Sequence, residues 1–350
     1  MHDRDRIVTD EDLFPYAPEC HVHNTVDRGF SRGFGAHFHP VPEYFVDSHV
    51  HYAAGRTGLP ILEAARQYLA QAAELGVKKL VLIPPVCVTS QGNALIRPDD
   101  ARMLNPHLAL PRDDRRLAWL IYLRHDMPDE TFVREAIQAG CHGLKLHMAP
   151  LVIAGADCRL FLNAAWDCVF ARLEAHRLPV LFHVTQYLGG SRYKNRGGAD
   201  QNLVRNRYFS EGWAHGLTDT NQDLLDMFLE LVRRHPGIPF IGAHELYLGL
   251  DRLDDLLDRH ENLHVDTSGG FLLNDDDDFY PRDRDLIKPF VLKQADRLLY
   301  ASDAATETYV SQDEQRALQR CRMRFIKRLM LPDEALQKVC HRNAERIFGF

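Results

Sequence analysis

Several short patterns in the sequence carry side chains that could do chemistry. Tyr44-Phe-Val-Asp47-Ser-His49-Val-His51 sets two histidines two residues apart. Gly143-Leu-Lys145-Leu-His147 sets a lysine and a histidine at the same spacing. Leu181-Phe-His183-Val, Ile241-Gly-Ala-His244-Glu245 and Leu299-Tyr-Ala-Ser-Asp303 each bring an apolar run to a polar residue. Neutral imidazole nitrogen and carboxylate oxygen suit Zn²⁺ and its neighbours. Three or four such ligands leave a position for water, whose pKa the ion lowers towards about 7. A carboxylate on the ion can also take that water's proton and deliver it to a leaving group, a double role that fits Asp303. Two further H-x-H pairs, His21/His23 and His37/His39, have no strand before them and no helix after, and read as loop residues.

These groups can act together only if the elements carrying them share one end of the fold. Apolar or β-branched runs predict strands at Tyr44–His51, Lys79–Pro84, Leu117–Leu123, Gly143–His147, Val180–Val184, Phe240–His244, Leu263–Thr267 and Leu298–Ser302. Amphipathic stretches predict helices at Ile61–Leu75, Asp129–Ala139, Leu160–His176, Asn221–Arg234, Leu250–Arg259, Arg284–Gln294, Gln312–Met330 and Pro332–Ile347. Eight strands alternating with helices imply parallel βαβ units and favour a closed (β/α)8 TIM barrel over an open sheet. No strand is followed by a Gly-rich phosphate loop, which weakens the open-sheet alternative further. Residues i and i+2 of a strand share a side, so His49 and His51 project together, and every polar group above sits at the C-terminal strand end where barrels place active sites. Two long connections, Pro85–Arg116 and Thr185–Thr220, open on that same face; the second carries Arg192, Lys194, Arg196, Arg205 and Arg207. Residues 1–43 read as an irregular N-terminal extension and 44–350 as the barrel domain.

Composition narrows the class. Apolar residues are 45% and charged residues 26%, which excludes a largely disordered chain and leaves material for a core. The net charge of −7 argues against a general nucleic-acid surface. No apolar run reaches the roughly 18–20 residues of a membrane span. The first residues, MHDRDRIVTDEDLF, lack an apolar signal core, so a cytoplasmic protein is expected. The seven cysteines are scattered without a C-x-x-C pair, which points away from a disulfide scaffold or zinc finger.

The combination of D-x-H-x-H, K-L-H and the later His, His and Asp resembles the amidohydrolase superfamily, most closely its amidohydrolase-2 group of TIM-barrel metal-dependent hydrolases. Asn262-Leu-His-Val-Asp-Thr-Ser268 and Asn343-Ala-Glu-Arg-Ile-Phe348 look like that group too, and the resemblance spans about residues 44–350. It implies His49, His51, His183 and Asp303 as metal ligands, with His244 near the bound water or substrate. In binuclear members a strand-four lysine carries a CO₂-derived carbamate bridging two metals; a free ammonium has no lone pair to offer. Carboxylation of Lys145 would bring His183 and His244 onto a second ion. One ion is expected, since relatives of this group often use one. Zn²⁺ is the expected metal, and Mn²⁺ or Fe²⁺ would suit the same ligands. Uncarboxylated, Lys145 would pair with a substrate carboxylate or form a structural salt bridge to a barrel acid. Asp47 shares the facing of the histidine pair and is expected to orient an imidazole. His147 is expected to line the pocket.

The expected function is therefore hydrolysis of an amide, lactone or ester bond in a small, carboxylate-bearing molecule. Asp303 would shuttle the proton, His244 would stabilise developing charge, and Arg192 and Arg196 would hold the carboxylate. The alternative is a metal-dependent nonoxidative decarboxylase of an aromatic or muconate-like acid. A third reading is a metal- or ligand-binding barrel without catalysis. The expected partner is a small molecule, with neither nucleic acid nor membrane. Residues 1–43 would cap the site or mediate assembly into a homo-oligomer.

Overall fold

A computed structural model of the chain describes residues 42–52, 59–84, 101–111, 113–148, 150–151, 156–185, 219, 221–268, 281–306, 326 and 329–350. The expected extension up to residue 41, most of loop 185–220 and most of the expected helix Gln312–Met330 lie outside them.

Among the described residues nine parallel strands form one sheet: β1 (Phe45–His51), β2 (Val77–Ile83), β3 (Leu117–Tyr122), β4 (Gly143–His147), β5 (Val180–His183), β6 (Phe240–Gly242), β7 (Leu263–Asp266), β8 (Leu298–Leu299) and β9 (Ala304–Ala305). Each of β1 to β7 pairs with the next strand in sequence. Strand β9 follows β8 after a short break and pairs with β1. The eighth stave of the barrel is thus one stretch broken in two, its first half bonded to β7 and its second to β1. Ser48 N–H and its hydroxyl both donate to the Tyr300 carbonyl, at 3.1 and 2.7 Å, across this seam. The architecture is the expected α/β TIM barrel. The break replaces the continuous eighth strand expected at Leu298–Ser302.

Among the described residues the α-helices between the strands are α1 (Ile61–Ala72), α2 (Ala101–Leu104), α3 (Glu130–Gln138), α4 (Ala164–Ala175), α5 (Asn221–Arg234), α6 (Leu250–Arg259) and α7 (Pro281–Lys293). Asp129 caps α3 by accepting from the Phe132 N–H at 2.8 Å, and Asn163 caps α4 through Trp166 N–H at 3.0 Å. Helix α6 buries Leu250, Leu253, Leu256 and Leu257, one stripe at helical spacing, against the sheet layer. Among the described residues no helix is long and apolar enough to cross a membrane.

Strand alternation divides the core in two. Residues such as Val50, Leu82, Trp119, Leu144, Phe182 and Val265 face the helices. Their neighbours Val81, Ile83, Leu120, Leu181, Ile241 and Leu299 fill the barrel interior. The chain ends in α8 (Asp333–Gln337), a π-helical turn at Lys338–Arg342 and α9 (Asn343–Phe348). From α9, Ala344, Ile347 and Phe348 join the interior cluster. Glu345 accepts from Tyr44 at 2.6 Å and pairs with Lys79, which ties this plug to the starts of β1 and β2. The apolar floor leaves the interior positions at the other strand ends for polar side chains.

Candidate active site

Strict alternation along β1 would send His49 to the same face as Asp47. The structure does otherwise, because the pairing of β1 with β2 slips between Asp47 and Val50: three steps along β1 match two along β2. This bulge resets the facing. Val46 packs inside the barrel below it, Val50 and Tyr52 pack outside above it, and His49 and His51 turn inward. Asp47, expected to share their facing and to orient an imidazole, instead accepts from Tyr68 of α1 at 2.8 Å and from the Ser302 hydroxyl at 2.6 Å.

The two imidazoles converge. Their Nε2 atoms lie 3.2 Å apart, and Asp303 Oδ1 lies 3.3 Å from each. The other ring nitrogens fix the tautomers. His49 Nδ1 faces Asp266 Oδ2 at 2.8 Å, and His51 Nδ1 faces the Pro84 carbonyl at 3.4 Å. Both partners only accept, so Nδ1 carries the proton in each neutral ring and Nε2 presents a lone pair. Burial and the Lys145 charge bring the His49 pKa down to about 4 against the pull of Asp266 and Asp303, so this ring is neutral at pH 7. Loss of water contact at the cluster works against charge on Asp303, whose side chain is still 40% exposed, but the neighbouring His49, His51 and His244 outweigh it and hold that carboxyl well below its ordinary range. Asp303 sits in the left-handed region, φ 55°, just after the break in the eighth stave.

Lys145 and His147 extend inward from β4 on the same face. Lys145 is fully buried, with Nζ 3.2 Å from His49 Nε2. Burial lowers its pKa to about 8 while Asp266 and Asp303 oppose the shift. Among the described residues no carboxylate lies within ion-pair distance of it, so the structural salt bridge weighed for this lysine does not occur among them.

His183 stands beside the trio, in a second cluster. Its Nδ1 is 3.1 Å from His244 Nε2, and its ring stacks on His147 at 4.1 Å. The sequence pattern puts His244 at the end of a strand. Instead β6 stops at Gly242, and His244, Glu245, Leu246 and Tyr247 follow with φ between 50° and 57°. Side chains disfavour this left-handed backbone, so the turn must be held by its surroundings. The His244 N–H donates to Asp266 at 2.9 Å and Thr185 binds the Leu246 carbonyl at 2.7 Å. A methyl group on Gly242 would lie 2.5 Å from the Leu246 side chain, which explains glycine there. His244 Nδ1 faces the Ser268 carbonyl, so neutral His244 keeps its lone pair on Nε2 and accepts from His183.

Asp266 is the residue that the pattern of strand-end histidines does not single out. It is fully buried on β7. Besides His49 it accepts from the N–H groups of His244 and Ser268 and from the Ser268 hydroxyl at 2.5 Å. Burial opposes its charge, but His49, His244 and Ser268 overcome this and keep the carboxyl well below its ordinary range. The signal available in the sequence is its place in Leu263-His-Val-Asp266, ending a strand like the others. Arg192 and Arg196 lie outside the described residues.

The donor set fits a divalent ion. Three ligands at 2.0–2.1 Å from one tetrahedral Zn²⁺ are roughly 3.3 Å apart, the spacing of His49 Nε2, His51 Nε2 and Asp303 Oδ1. Among the described residues these three form a group able to hold a metal ion.

A search of curated protein sequences returns no match. Solved structures share the fold at low identity. A 5-carboxyvanillate decarboxylase from Sphingomonas paucimobilis is 16% identical, with 88% of this chain and 99% of that chain covered at a TM-score of 0.53. A protein described as a probable 2-pyrone-4,6-dicarboxylic acid hydrolase from Acinetobacter baumannii, with citric acid bound, is 13% identical over 87% and 99% at 0.51. An uncharacterized TIM-barrel protein from Bordetella bronchiseptica is 14% identical over 87% and 98% at 0.50. The family model described as amidohydrolase, the amidohydrolase-2 group, matches residues 35–350, nearly the whole chain. With that match and a His/Asp cluster at the C-terminal mouth of a TIM barrel, the chain belongs to the amidohydrolase-2 family.

Proposed function

We propose that the chain is a metal-dependent hydrolase acting on an amide, lactone or ester bond of a small, carboxylate-bearing substrate. One observation carries this reading. Two imidazole lone pairs and a carboxylate oxygen meet within 3.3 Å, three acceptors at the spacing of ligands on one divalent ion, while the Lys145 ammonium lies 3.2 Å from His49 Nε2 at their edge. His49, His51 and Asp303 would hold the ion, with His183 as a further ligand. We assign one ion per chain and zinc as its identity; Mn²⁺ and Fe²⁺ suit the same donors. When bound, the ion supplies Lewis acidity and makes water a usable nucleophile near neutral pH.

The chain's own residues divide the remaining work. Asp303, ionised at neutral pH, accepts the proton of the attacking water and returns it to the leaving group. His244 accepts at Nε2 while neutral; once protonated it donates from that atom to developing negative charge. The Lys145 ammonium binds a substrate carboxylate, as Arg192 and Arg196 would from loop 185–220. His147 lines the same pocket.

A second reading is nonoxidative decarboxylation of an aromatic or muconate-like acid; the lysine in Gly143-Leu-Lys145-Leu-His147 counts against it by resemblance, while its position offers one feature in its support. The buried Lys145 Nζ, 3.2 Å from His49 Nε2, places a proton donor beside the cluster, of the kind that replaces CO₂ on carbon. The likeness to a 5-carboxyvanillate decarboxylase is in keeping with it. Lactones, amides and aromatic acids turned over in ¹⁸O-labelled water separate the two. Label in the product supports hydrolysis; CO₂ release with an unlabelled product supports decarboxylation and overturns the first reading.

A further inference from the structure

We propose that Asp47 is a positioning residue for Asp303: its carboxylate grips Ser302 and thereby sets the turn that aims Asp303 at His49 and His51. This rests on the reading of Asp303 as a metal ligand.

The geometry is specific. Asp47 Oδ1 accepts the Ser302 N–H at 2.9 Å, and Oδ2 accepts the Ser302 hydroxyl at 2.6 Å. The same hydroxyl oxygen accepts the Ala304 N–H at 3.1 Å. Both neighbours of Asp303 are therefore tied, directly or through one hydroxyl, to a single buried carboxylate. Asp303 needs such a bracket, because its left-handed φ of 55° is unfavourable for a residue with a side chain. Ala304 and Ala305 then pair with Val50 and His51, which joins the turn to the strand bearing the histidines. The bulge after Asp47 makes this division of labour: Asp47 faces the seam while His49 and His51 face the interior.

Asp47→Asn puts an uncharged amide with one acceptor oxygen where two donors from Ser302 and one from Tyr68 converge. The Ser302 grip then loosens and the Asp303 carboxylate loses its aim. Partners that orient metal ligands typically matter by 10–100-fold in metal affinity. The full-length protein is stripped of metal. Zn²⁺ affinity is then measured by chelator competition, and the visible spectrum of the Co²⁺-loaded protein reports ligand geometry. Asp47→Asn is expected to bind Zn²⁺ about 10–100-fold more weakly with an altered Co²⁺ spectrum, and Asp47→Glu to recover part of the loss. Asp129→Ala, which removes a helix cap, controls for general destabilisation and is expected to leave affinity and spectrum unchanged. If Asp47→Asn does not fold, Ser302→Ala decides, with weakening of about 10-fold or more expected and wild-type affinity overturning the positioning role. Wild-type affinity and spectrum in the folded Asp47→Asn protein, while Asp303→Asn loses the metal, overturn the positioning role alone. Wild-type affinity in Asp303→Asn overturns the metal-ligand reading beneath it, and the proposal with it.

Discussion

Asp266 of β7 holds His49 of β1 by its Nδ1 at 2.8 Å, with the carboxylate fully buried. The bond does more than fasten two strands. It selects the tautomer of His49 in which Nε2 is a lone pair, the only form able to bind a metal from that atom. The other carboxylate oxygen is occupied by Ser268 and the His244 N–H, so the orientation of Asp266 is itself fixed.

Replacing Asp266 by Asn should therefore be costly although the shape is kept. An amide NH₂ facing His49 donates to Nδ1 and moves the ring proton to Nε2. Zn²⁺ affinity should fall by about 10–100-fold. Chelator competition on metal-free protein measures it, and an unchanged affinity would show that the tautomer is set by something else.

Gly143 opens the strand that carries Lys145 and His147. Its φ is 152°, and a Cβ there would stand 2.6 Å from the Pro179 carbonyl oxygen. Gly143→Ala should cost about 1–3 kcal/mol through overpacking against backbone that cannot give way. Urea unfolding followed by fluorescence tests this; a variant as stable as wild type would mean β4 can shift without penalty.

His264 gives a pH dependence with a definite sign. It is buried on β7 with its Nδ1 near the Asn262 carbonyl. Burial, then Arg297 and Arg346, bring its pKa down from 6.5 to about 3. The unfolded chain protonates this imidazole below about pH 6.5 and the folded chain does not. Its contribution is fully present above that pH and is lost as pH falls towards about 3. His264→Gln should flatten the acid limb of the stability curve over that window, by up to about 1.4 kcal/mol per pH unit. Urea midpoints at several pH values from neutral down through that window provide the comparison; parallel curves for variant and wild type would remove His264 from the acid response.

Much of this arrangement is legible in the sequence, for reasons that differ by element. Strand β4 and helices α5 and α6 have the bounds expected from their apolar periodicity. The convergence of His49, His51 and Asp303 follows from strand ends in a closed barrel. The bulge in β1 does not: one extra residue leaves the alternation looking regular, so strict alternation puts Asp47 on the wrong face. The left-handed turn at His244–Tyr247 contradicts the local preference of every residue in it, and the distant partners Asp266 and Thr185 help to hold it. The break in the eighth stave depends on Asp47 gripping Ser302 across 255 residues, a distance in sequence that no local pattern spans. Asp266 escapes for the same reason, since its partner His49 is 217 residues away.

The central claim is that His49, His51 and Asp303 hold a catalytic divalent ion. Elemental analysis of the purified protein, alongside His49→Ala and Asp303→Asn, tests it most directly. The account predicts about one equivalent of transition metal per wild-type chain, removable by chelation, and a loss of most of it in both folded variants. Equal metal in all three proteins, or none in the wild type after reconstitution, would contradict it.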